Sequence, residues 1–187
     1  MRVYQQRPDV NSVVHAHPIY ATSFAIAGIP LTQPIMPEAV IALGCVPIAE
    51  YGTPSTMEIP DNLEKYLPYF DAVLLANHGA LSFSDSLLNA YYKMESLEFY
   101  AQLLYQSKML GGPKLLTDEQ VQGLYEIRRQ FGLKGKHPAN VCPARVTSVG
   151  RLNVSVFTLH DDLYAPLIVP PSVLYVISSS SAAFHLA

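Results

Sequence analysis

The chain has 187 residues, half of them hydrophobic and only 14% charged, which suits one α/β-sized domain with a substantial core. A net charge of −3 leaves no basic footprint for nucleic acid or an anionic membrane, and no apolar run is long enough to span a bilayer. Two cysteines, Cys45 and Cys142, make neither a disulfide framework nor a cysteine zinc motif. Cys45 lies in an apolar run and reads as a buried, reduced thiol. Residues 1–9 are polar and lack the apolar stretch of a signal peptide, so a cytoplasmic location is expected.

In chain order, residues 10–17 form a β-branched strand ending in His15-Ala16-His17. Alternate side chains of a strand share a face, which puts the two imidazoles on one side, about 6.5–7 Å apart along the strand. Pro18 then opens a short helix that Gly28 ends, with Pro30 just beyond. Residues 38–43 suggest a helical turn closed by Gly44, followed by a strand over 45–51. Asp61 is the expected N-cap of a helix through Leu63, Tyr66 and Leu67, which Pro68 disrupts.

Residues 72–76 (AVLLA) are a continuous apolar run, the pattern of a strand buried on both faces. His78 sits just past its end, and Gly79 lets the backbone approach whatever that histidine holds. A long helix follows, with Ser84 as its expected N-cap, Gly111 after its end, and an apolar stripe through Leu87, Tyr91, Met94, Leu97, Ala101 and Leu104. A second clear helix starts at Thr117, where Gln120 completes a capping box, and stops at Gly132. Interleaved strands and helices argue for layered α/β architecture. Beyond Val141 only four of the 27 charged residues remain, and a Ser178–Ser181 run appears. Residues 1–140 therefore read as the domain. Residues 141–187 read as an atypical tail: strands and turns of a small appendage, a poorly ordered stretch, or sequence that did not evolve with the rest.

Three imidazoles, with no competing cysteine or aspartate cluster, are the donor set of a catalytic zinc whose fourth position stays open. His15, His17 and His78 are the expected metal ligands. The other reading of strand histidines, as satisfied core or surface residues, stays open on spacing alone. His137 looks like a loop residue, and His160 and His185 carry no assignment. Glu95 and Glu98, at i and i+3 on the long helix, are either solvated or interface carboxylates or acceptors that orient a metal-bound histidine. Tyr51, at a strand end, either packs or faces substrate.

Residues 4–18 (YQQRPDVNSVVHAHP) and 74–80 (LLANHGA), with the glutamate-bearing helix after them, resemble the class II aldolase/adducin family. The resemblance runs to about residue 140. It implies a three-layer α/β/α fold, a zinc or other divalent ion on His15, His17 and His78, and a homotetramer. The implied activity is metal-dependent aldol cleavage or condensation of a sugar phosphate, L-fuculose-1-phosphate aldolase-like, through a metal-stabilised enediolate. A related epimerase or dehydratase, an inactive metal-binding fragment and a scaffold module of the same family are the alternatives.

Three features depart from the family pattern. Members carry phosphate-holding loops and an acid/base residue ahead of the position of Met1, so the fold is expected to be N-terminally incomplete and the catalytic acid/base is unassigned. No tyrosine occurs in residues 33–37, where aldolase relatives place one near the active site; Glu38, reaching in from a neighbouring subunit, and Tyr51 are the candidate replacements. The tail after Asn140 does not match the family's C-terminal segment.

Overall fold

The computed structural model describes residues 2–139 and the backbone of the strand Leu174–Ser178. The elements are α1 (Arg2–Gln6), β1 (Ser12–Ala16), α2 (Ile19–Ala27), α3 (Pro37–Ala42), β2 (Ile48–Ala49), α4 (Glu58–Leu63), β3 (Ala72–Leu75), β4 (Gly79–Ser84), α5 (Leu87–Met109), α6 (Asp118–Gln130) and β5 (Leu174–Ser178). The strands form one sheet in the order β2-β3-β4-β1-β5. β2 and β3 are parallel; every other neighbouring pair is antiparallel.

Period-two alternation divides the strand residues between two cores. Val14, Ala16, Leu74 and Ala80 pack with Ala21 and Phe24 of α2, Ala39 of α3, and Met94, Leu97 and Leu104 of α5. Val13, Val73, Leu81 and Phe83 point the other way, onto Val3 of α1 and Leu63 of α4. Helices therefore cover both faces, and the expected three-layer α/β/α class is found.

The main difference from the sequence reading is β4. Ser84 ends this strand rather than capping a helix, and Ser86 is the N-cap of α5, its Oγ accepting from Asn89 N at 3.2 Å. Small residues on the α5 side of β4 hid its alternation. Ala80 and Ser82 let the helix pack close, and Ser82 Oγ donates to Ala90 O at 2.7 Å. Asp61 is likewise no N-cap: α4 starts at Glu58, and Asp61 lies in its first turn, paired with Arg2. The strand expected over 45–51 shrinks to two residues, and Pro47 just before it has no N–H to extend a ladder. Cys45 is buried but disulfide-bonded, not a free thiol.

Other expectations match. Gly28 takes the left-handed conformation (φ 67°) that closes α2. The capping box of α6 is complete, with Gln120 N donating to Thr117 Oγ1 and Thr117 N to Gln120 Oε1. At the sheet end holding Ser12 and Ser84, buried Asp71 takes Arg7 on one oxygen and Lys93 on the other, both at 2.6 Å. The tail reading over 141–187 lies outside the described residues, apart from the β5 backbone beside β1. No helix among the described residues is long and apolar enough to cross a membrane.

Candidate metal centre

The opposite end of the sheet gathers the histidines. β1 runs antiparallel to β4 with Ala16 opposite Ala80, so His15 is the last-but-one strand residue and His17 lies one position beyond the ladder. β3 and β4 form a hairpin with Leu75 opposite Gly79, and its connection, residues 76–78, carries His78 to the same end. Asn77 adopts the left-handed region (φ 55°), which asparagine tolerates better than most side chains. The hairpin then presses Gly79 against β1. A Cβ there would lie 2.6 Å from Ala16 O and 2.6 Å from His17 Cδ2, so only glycine permits this approach.

The three rings meet. Their centroids are 4.7 Å apart for His15–His17, 4.8 Å for His15–His78 and 5.0 Å for His17–His78. One nitrogen from each lies within 4.8 Å of the others. Two imidazole nitrogens on one tetrahedral ion stand roughly 3.3 Å apart at ordinary zinc–nitrogen bond lengths. Small ring movements close that difference.

The electrostatics favour neutral rings at His15 and His78. Burial pushes His15 down to about 4; the nearby His17 and His78 add to this, while a hydrogen bond to Ala80 opposes it. That bond also sets the tautomer. The Ala80 carbonyl can only accept, so His15 Nδ1–H donates to it at 3.0 Å and Nε2 carries the lone pair. His78 is also held below the usual histidine value, first by burial and then by His17. His78 Nδ1 is buried with no hydrogen-bond partner. Leaving a buried nitrogen unsatisfied costs about 1–3 kcal/mol, a penalty a bound cation removes. The donor set and the orphaned nitrogen both fit a divalent metal.

The remaining candidates lie elsewhere or act differently. Glu38 is exposed on the first turn of α3, outside the histidine cluster. Tyr51 is 56% exposed on the loop after β2. His137 is a loop residue, as expected, and its Nε2–H donates to Val40 O at 2.7 Å. Glu95 is exposed. Glu98 accepts from the backbone N–H groups of Tyr20 and Ala21, at 2.9 and 2.8 Å. The sequence signal for that role was Pro18, which starts a helix without supplying a side-chain acceptor. His160 and His185 lie outside the described residues.

The family model described as "Class II Aldolase and Adducin N-terminal domain" matches residues 1–105. A 5-deoxy-D-ribulose 1-phosphate aldolase from Bacillus thuringiensis is 33% identical over 131 residues, covering 69% of this chain and 60% of that protein. An L-fuculose phosphate aldolase from Escherichia coli is 31% identical over 137 residues, covering 72% and 63%. Among solved structures, an L-fuculose 1-phosphate aldolase superposes with a TM-score of 0.62 at 34% identity, over 70% of this chain and 59% of that one. The chain thus spans roughly 60% of the length of the curated relatives it matches. With the three-layer fold and the helix-backed histidine hairpin, these similarities place the chain in the class II aldolase and adducin family.

Proposed function

We propose that His15, His17 and His78 hold zinc or another divalent cation, and that the chain serves aldol cleavage and condensation of a sugar phosphate, as an L-fuculose-1-phosphate aldolase-like lyase. The observation that carries this is the meeting of three imidazoles from two antiparallel strand ends, with His78 Nδ1 buried and unsatisfied. Relatives at 31–33% identity that are named sugar-phosphate aldolases support the substrate class. A bound ion supplies Lewis-acid stabilisation of the negative charge that develops beside a carbonyl when the neighbouring carbon–carbon bond breaks.

The protein's own residues prepare that chemistry. Ala80 holds the His15 proton on Nδ1 and so presents Nε2 as a donor. Burial keeps His15 and His78 uncharged, so neither repels a cation. Gly79 lets the hairpin bring His78 against β1. We further propose a homotetramer. Support for assembly comes from exposed apolar side chains along α5, among them Tyr92, Phe99 and Met109.

Elemental analysis of the purified full chain, paired with a cleavage assay on L-fuculose 1-phosphate, tests the reading. Near one divalent ion per chain is expected, lost with turnover in His15→Ala, His17→Ala and His78→Ala. A folded, metal-free wild type that stays metal-free on zinc addition ends the metal assignment. Full metal loading without turnover ends the lyase assignment alone.

A further inference from the structure

We propose that Glu98 is a positioning residue for His17, its carboxylate clamping the first turn of α2 and thereby setting where that imidazole stands; this rests on the three-histidine metal reading above. α2 begins at Ile19, two residues after His17, and its N-cap position is Pro18, which makes no side-chain cap bond. The N–H groups of a helix's first turn need acceptors from outside the helix. Here two of them, those of Tyr20 and Ala21, are served by one side chain, 78 and 77 residues further along the chain. Glu98 Oε1 accepts from Tyr20 N at 2.9 Å and Oε2 from Ala21 N at 2.8 Å. A carboxylate at this end also complements the helix dipole.

Glu98 lines a cavity of about 470 Å³ together with Ala16 and Pro18, the residues immediately before and after the histidine. Against the ring itself stands Gly79, with no room for a Cβ. His17 lies beyond the last ladder pair, so its backbone takes direction from the α2 start that Glu98 secures. His15 differs: it sits within the ladder, and its ring is tied to Ala80. Loss of Glu98 should therefore loosen His17 and spare His15.

The experiment measures zinc affinity of the full chain by competition with a chromophoric chelator, well below the unfolding temperature. The variants are Glu98→Ala, Glu98→Gln and Ser82→Ala. The last removes a different buried hydrogen bond of α5, that of Ser82 Oγ to Ala90 O, and controls for general loosening of that helix. Groups hydrogen-bonded to a metal ligand typically change affinity 10–100-fold; Glu98 acts one step further out, through the α2 backbone, so Glu98→Ala should weaken zinc by roughly tenfold, the low end, and Glu98→Gln, which keeps one acceptor, by about threefold. Ser82→Ala should stay within about twofold of wild type, since it leaves every outer-shell contact in place. In metal-free protein, the imidazole proton resonances of His17 should shift or broaden in Glu98→Gln while those of His15 hold, a readout available even where Glu98→Ala fails to fold. Unchanged affinity and unchanged His17 resonances in the Glu98 variants overturn the proposal, as does equal weakening by Ser82→Ala. A wild type that binds no zinc removes the metal reading itself, and this role with it.

Discussion

Gly79 carries a constraint that its neighbours do not. Its Cα faces Ala16 O and the His17 ring, so Gly79→Ala must move either backbone or a histidine. Overpacking of this kind costs about 1–3 kcal/mol. The variant should lose that much stability in urea denaturation and also bind zinc more weakly; a variant matching wild type in both would show that the hairpin yields at no cost. The histidines themselves were legible because an alternating H-x-H and a histidine beside glycine keep their meaning in one dimension. Glu98 was not. Its N–H donors lie on a helix nearly eighty residues away in sequence, and nothing in its local pattern distinguishes a clamp from a solvated carboxylate.

At the scale of elements, boundaries with a side-chain signature were readable. Thr117 and Gln120 announce the start of α6, and the reciprocal bonds are present. Thr117→Ala should lower stability by about 1 kcal/mol. Amide exchange should quicken in the first turn of α6 and leave β1 and β4 unchanged; uniform quickening would contradict a local cap. β4 shows the opposite case. Gly79, Ala80, Ser82 and Ser84 carry weak strand propensity, yet the segment is central in the sheet because its partners β1 and β3 and the helix α5 require a thin strand there. Asp61 had the right chemistry for a cap, but its pairing with Arg2 fits a position within the turn.

On the scale of the whole molecule, the buried ion-pair network of the described residues lies at the end of the sheet remote from the histidines. Asp71 is buried between Arg7, itself only 3% exposed, and Lys93. Arg7 also donates to the carbonyls of Leu67 and Phe70, at 2.9 and 3.1 Å. Removing the shared carboxylate in Asp71→Ala leaves Lys93 without its carboxylate and Arg7 with Asp9 alone, and should cost about 3 kcal/mol, the lower end for breaking a buried pair. Zinc affinity of the folded fraction should be kept, because the network and the histidines occupy opposite poles. Joint loss of stability and affinity would mean the poles are coupled.

Proton linkage acts on the same scale. Burial is the main reason that His15 and His137 are both pushed down to about 4, so the folded chain prefers them neutral while the unfolded chain protonates them near 6.5. Their contribution is complete above about pH 6.5 and fades as the pH falls toward 4, each by on the order of 2–3 kcal/mol. The metal-free protein should therefore unfold at lower urea concentration at pH 4.5 than at pH 7. His137→Gln should flatten that dependence by part; an identical slope would show that His137 opens to solvent before it titrates.

Side-chain type and spacing were enough to establish the layered α/β class, the histidine trio and the caps of α2 and α6, because each depends on neighbours within a few residues or on a repeating period. Spatial folding alone settled the place of β4, the bond made by Cys45, the Asp71 network and the task of Glu98. Those features depend on which distant segments become adjacent, and adjacency follows from burial competing across the entire sheet, which no local window of residues contains.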